Sequence, residues 1–195
     1  MVADRKTELI RIATELVMQN GFDSFSYSDL AKHLNIRKAS IHHHFPKKQD
    51  LGLAILDQVK GSCADHFQCI SSQSISASKK LDLAFNLGRD LCDSGNRICP
   101  VGSFQAEFNV IPPSMQTKLR EIEDLEIDFF TKILDQGRKE GCFHFQGTPR
   151  DEALFVVSTL KGALQYARTH DKSIFAKAVN QLKRSLKPQA TPAAA

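Results

Sequence analysis

Nowhere in the 195 residues does an apolar run approach the roughly 18 residues that span a bilayer. The N-terminal "MVADRKTELI" also lacks the apolar centre of a secretion signal, which leaves the cytoplasm as the expected compartment. Cysteines are few and badly spaced for joint work. There are five, at 63, 69, 92, 99 and 142, an odd number with no Cys-x-x-Cys pair, so neither a zinc cage nor a disulfide framework is indicated. The chain also has no His-x-x-x-His, no paired Glu-x-x-His and no glycine-rich phosphate loop, and no nucleophile–base–orienter set stands out. These absences argue against an enzyme and call for no metal and no cofactor.

A more local absence is the most informative. From Leu30 through Gln49 there is no aspartate or glutamate, while the same window carries Lys32, Arg37, Lys38, Lys47 and Lys48 with His33, His42, His43 and His44. Carboxylates resume on either side at Asp29 and Asp50. The net charge of +4 is mild, but this stretch is built to attract a polyanion. A solvated charged face would have the same composition, and periodicity separates the two readings.

What is present reads as helix almost throughout. With 42% hydrophobic and 25% charged residues the chain has the make-up of an ordinary globule. "DRKTELIRIATELVMQNG" puts Leu9, Ile12, Ala13 and Leu16 on one stripe with Gly21 as a stop. Ser26, with Asp29 three residues on, caps a second helix whose inner face is Leu30, Ala31 and Leu34; Asn35 suits its left-handed end. A third helix starts near Arg37 and stops at Phe45 before Pro46, with Ile41 and Phe45, four apart, pointing inward. A fourth begins near Lys47 and runs on through Leu51, Leu53, Ala54, Leu56 and Val59. Two short helices joined by a tight turn and braced by a longer one make a helix-turn-helix, and the acid-free window covers its second helix. The three adjacent histidines fan about 100° apart on a helix, so they cannot converge on one ion.

The stretch "ATELVMQNGFDSFSYSDLAKHLNIRKASIHHHFPKKQDL" resembles the DNA-binding domain of the TetR family of bacterial transcriptional regulators. It departs from the family pattern at His42, most often tyrosine there, and at Phe25, often a small residue. The resemblance implies an all-α fold: an N-terminal three-helix DNA-binding domain at 1–47, a helical effector-binding and dimerisation domain at 48–187, and a tail at 188–195 expected to be disordered. It implies that Ser26, Tyr27 and Ser28 at the start of helix two lie against DNA. His42 and His44 would touch the DNA backbone, His43 would face the groove and Lys48 would anchor a phosphate. Arg37, Lys38, Ala39 and Ser40 would lie nearest the bases, where Arg37 or Lys38 can read guanine and Ala39 a thymine methyl.

The remainder of the family layout follows in the same terms. "RDEALFVVSTLKGALQYART" is apolar on nearly all faces, which predicts burial on most of them, and with "SIFAKAVNQLKRSL" it occupies the place of the family's dimer interface, about 151–186. Between the ends, the family's apolar effector cavity would draw on Phe67, Phe85, Phe104, Phe108, Phe129 and Tyr166, with Arg89, Gln105 and Glu107 as polar members. "RICPVGSF" resembles the family's Cys-Pro-x-Gly step, where Cys99 is either a core thiol or an oxidant sensor. The implied activity is repression of an operator by a homodimer, relieved by a small molecule. Two other classes, an all-α enzyme and a protein-binding adaptor, lack the residues or have no use for the acid-free window.

Overall fold

The computed structural model describes residues 5–93, 95 and 97–187. Among them are nine helices and no strand: α1 (Arg5–Asn20), α2 (Tyr27–Leu34), α3 (Lys38–His44), α4 (Lys48–Ser71), α5 (Ala77–Asp93), α6 (Pro100–Ala106), α7 (Pro113–Lys139), α8 (Pro149–Thr169) and α9 (Ser173–Ser185). The all-α fold expected from the sequence is the one observed. No helix is long and apolar enough to cross a membrane among the described residues.

The short helices are bounded by local chemistry. Ser26 and Asp29 form a complete capping box at the head of α2, each side chain bonded to the other residue's backbone N–H. At the far end Asn35 takes the left-handed conformation (φ 49°, ψ 47°), and the Ile36 N–H returns to the Ala31 carbonyl. α3 ends where Phe45 leaves the helical region ahead of Pro46, as a residue before proline must. The Lys47 N–H that opens α4 donates to the Asp50 carboxylate at 2.8 Å. Thr148 and Asp151 repeat the capping box at α8, with Pro149 in the first turn.

The described residues cluster into two compact units. One holds α1–α3, α4 as far as Asp65, and the segment from Arg97 to Asp124 with α6 and the start of α7. Its core is a continuous set including Leu9, Ala13, Leu16, Leu30, Ile41, Phe45, Leu51, Ile55, Val101, Phe104, Met115 and Leu119. The expected break at 47–48 does not coincide with this division, because Leu51, Ile55, Leu56 and Val59 of α4 are buried in the same core as α1–α3. The expectation for 188–195 lies outside the described residues.

The second unit holds His66–Gly95 and the described residues from Leu125 onward. Its core gathers Leu81 and Phe85 of α5, Ile133 and Leu134 of α7, Val156 of α8, and Phe175, Val179 and Leu182 of α9. Small residues face inward on α8 (Ala153, Ala163, Ala167), so α9 can pack closely on it. Gly88 serves the same purpose on α5, since a Cβ there would collide with the Phe175 ring. Within a single chain α8 leaves one face open: Leu154, Phe155 and Tyr166 are 45%, 53% and 61% exposed, and Gly162 has open space where a side chain would be.

Candidate nucleic-acid interface

α3 is only seven residues long, too short to hold itself together as a helix, so its shape is borrowed from the core. Ile41 is fully buried and Phe45 is 2% exposed. With those two side chains directed inward, Arg37, Lys38, Ala39, Ser40, His42 and His43 all lie at the surface and His44 is half-buried. The window without carboxylates therefore becomes an outward face, as its spacing predicts.

The histidines differ in what they can offer. His42 Nδ1 lies 3.3 Å from the Pro46 carbonyl, which ties the ring to the end of α3. The His42 ring also meets the Tyr27 ring edge-on at 4.8 Å, and the His43 and His44 rings meet at 5.4 Å.

Two members of the expected set are engaged elsewhere. Tyr27 is 6% exposed, and its hydroxyl donates to the Phe45 carbonyl at 2.9 Å. It ties α2 to the end of α3 instead of facing solvent. Burial, aided by the negative charge of Asp50, pushes its phenol up to about 12. Since the folded chain favours the neutral phenol, the stability Tyr27 contributes is complete below about pH 10 and is lost as pH climbs from there through 12. Tyr27→Phe should cost about 1 kcal/mol at neutral pH and flatten the alkaline arm of the unfolding curve. Circular dichroism followed from pH 8 to about pH 12 checks this; an unchanged alkaline midpoint would refute it.

Lys48 is the second. Its ammonium sits 4.8 Å from the ring centres of both Phe22 and Phe25 and donates to the Asp23 carbonyl at 3.1 Å. Burial holds its pKa below the ordinary lysine value. The side chain braces the α1–α2 turn. Ser26 is exposed, but its hydroxyl donates to Asp29 at 2.7 Å within the capping box, and those hydrogen bonds hold the Asp29 carboxyl below its usual range. Ser28 is exposed. Sequence reading missed Lys6, whose ammonium lies 5.8 Å over the Phe45 ring and adds positive charge beside α3.

Residues expected to line an effector cavity divide between the two units. In the first, Phe104 is fully buried, its ring 5.5 Å from that of Phe22. Glu107 is a backbone clamp: its carboxylate accepts the N–H groups of Phe22 and Asp23 at 3.1 Å each. Gln105 donates to Glu123, and Phe108 is half-buried under the Arg120 guanidinium. In the second, Phe67 stacks on Phe129 at 4.1 Å, and Phe85 is core. Arg89 is exposed and donates to Asn86, while Tyr166 lies outward against His170. Among the described residues of this unit, two buried polar atoms have no hydrogen-bond partner, Oε2 of Glu126 and Nε of Arg168, and no local pattern marks them. Cys99 is half-buried at the head of α6, packed against the first core.

Residues 9–55 match the family model described as bacterial regulatory proteins, tetR family. The HTH-type transcriptional repressor NemR of Escherichia coli is 22% identical over 188 residues, covering 89% of this chain and 94% of that protein. A crystal structure of a TetR transcriptional regulator from Legionella pneumophila superposes with a TM-score of 0.87 at 27% identity, over 95% of this chain and 99% of the other. The crystal structure of the reduced form of E. coli NemR gives 0.81 at 21% identity, over 98% and 100%.

Proposed function

The chain belongs to the TetR family of bacterial regulators, and from that premise we propose that it is a repressor whose α3 enters the major groove of an inverted-repeat operator. The observation that carries this is the outward row of Arg37, Lys38, Ala39, Ser40, His42 and His43, on the second helix of the motif and without an acid from Leu30 to Gln49. Residues 1–47 are assigned to reading DNA and 48–187 to sensing and pairing. Cationic side chains bring the affinity and the salt dependence, and the head of α3 brings the discrimination between bases.

Dimerisation through α8 and α9 is part of the same reading. Two heads must meet grooves about 34–36 Å apart, and a single short helix binds weakly. The uncovered Leu154, Gly162 and Tyr166 support α8 as the pairing face. An effector would act by favouring a pairing whose heads no longer match the groove spacing. A hundredfold release needs about 2.7 kcal/mol of coupling. The partnerless Glu126 and Arg168 atoms support the second unit as its seat, with Phe67 and Phe129 as apolar wall.

Fluorescence anisotropy on inverted repeats from the gene's own upstream region tests the reading. Arg37→Ala with Lys38→Ala should weaken binding about a hundredfold and reduce the salt slope. Operator affinity indifferent to salt and to both substitutions would end the proposal.

A second reading makes Cys99 an oxidant sensor. It stands at the head of the same seven-residue helix that ends in the Glu107 clamp on the DNA-reading half, and a relative of this fold has been crystallised in a reduced form. Cys99→Ser should then abolish release of DNA by peroxide while leaving affinity under reducing conditions unchanged. Undiminished release in the variant would dismiss it.

A further inference from the structure

We infer that Lys6, in the first turn of α1, is a phosphate anchor for the DNA strand that passes the trailing end of α3. It rests on the reading of α3 as the groove helix and deepens it, since Lys6 lies outside the helix-turn-helix and outside the stretch without acids. Seven residues make α3 about 10 Å long, close to the width of about 12 Å of a major groove, so both strands' phosphates come within reach of its ends. At the leading end Arg37 and Lys38 stand exposed. The trailing end is a different electrostatic problem.

A helix finishes in carbonyls that carry partial negative charge, and these repel a phosphate. In α3 the effect is accentuated. Pro46 has no N–H to return to the His42 carbonyl, and the Lys47 N–H is given to the Asp50 carboxylate at 2.8 Å. The negative charge of Asp50 also acts on Tyr27, whose hydroxyl meets the Phe45 carbonyl at this same end. A strand passing here needs positive charge from another element, beyond that of exposed Lys47. Lys6 supplies it. Its side chain is exposed, and its ammonium lies 5.8 Å from the centre of the ring of Phe45, the residue that closes α3.

Within α1 itself the position is unfavourable for a lysine. A cation in the first turn of a helix faces the positive end of the dipole, and neighbouring Arg5 offsets this by pairing with Glu8 at 2.7 Å. Among the described residues no carboxylate pairs with Lys6. A ring contact of 5.8 Å stands at the outer limit of cation–ring attraction and adds little stability at an exposed site. The charge is held beside the tail of α3 and stays available to an anion.

Fluorescence anisotropy of the full chain, on an inverted repeat from the gene's own upstream region and on a scrambled duplex of equal length, tests the anchor. Lys6→Ala should weaken both about fivefold and lower the salt slope by about one per bound chain, with the thermal midpoint unchanged. Lys6→Arg should keep the wild-type affinity. In a series of duplexes carrying single neutral methylphosphonates, one position should weaken the wild type and leave Lys6→Ala unaffected. Unchanged affinity and slope in Lys6→Ala, a loss confined to the inverted repeat, a loss that comes only with a lowered melting midpoint, or no such methylphosphonate position would overturn the inference. A wild type that binds no duplex refutes the groove reading as a whole, whereas a binding wild type with an indifferent Lys6→Ala removes this anchor alone.

Discussion

Phe45→Ala should destabilise the chain by about 3–5 kcal/mol, lower its thermal midpoint by about 6–20 °C and abolish operator binding. Phe45 is 2% exposed and lies in the core that unites α1–α4 with α6. Removing the ring opens a cavity in that shared core. It also loosens the backbone carbonyl that receives the Tyr27 hydroxyl. Since α3 has only Ile41 and Phe45 as inward anchors, the remaining contact cannot set its orientation. Differential scanning calorimetry beside anisotropy measures both effects. A variant that melts normally and still binds DNA would mean that α3 is held by something other than these two side chains.

Glu107→Ala should cost about 2–3 kcal/mol, the value of charged hydrogen bonds to two amides that are then left without an acceptor. The residue fastens the end of α6 to the turn after α1. Two more bonds run along the same seam: Ile98 N–H to the Met18 carbonyl at 2.8 Å and the Ser103 hydroxyl to the Val17 carbonyl at 3.0 Å. Gly21 belongs to the arrangement, because at φ 93° it turns the chain toward the carboxylate and a Cβ there would strike Oε1 of Glu107. On the other side of the turn stands Lys48, bonded to Asp23. Glu107→Gln, which retains one acceptor oxygen, should recover about half of the loss. Urea denaturation gives the numbers; a midpoint shared by wild type and Glu107→Ala would show the clamp to be idle.

The parts that were readable in advance are those decided within a few residues. Ser26 and Asp29 announce the capping box, Asn35 the left-handed stop, and Ile41 and Phe45 the inner face of α3, because each needs only its near neighbours. Glu107 was grouped with effector residues, since its partner Phe22 is 85 positions away and no local pattern marks a carboxylate that binds backbone amides. Tyr27 and Lys48 were read from family likeness as DNA contacts. The buried Tyr27 hydroxyl and the half-buried Lys48 ammonium also have partners within the fold, at Phe45 and Asp23, and spacing does not encode those. For α8, periodicity detected an apolar surface correctly but not what covers it: one chain leaves Leu154 and Tyr166 to solvent. The phenylalanines fared similarly, because a core ring such as Phe85 and a stacked wall ring such as Phe129 look alike in a sequence.

The scaffold invests very little of itself in the reading head. The side chains of Lys38, Ala39 and Ser40 are exposed and take no part in the packing that shapes α3, whereas His42 touches the Tyr27 ring and the Pro46 carbonyl. If α3 reads DNA as proposed, exchanging Lys38, Ala39 or Ser40 should alter which duplex is preferred while the melting behaviour stays put, so operator preference could drift, or be re-engineered, without a compensating change anywhere else in the molecule.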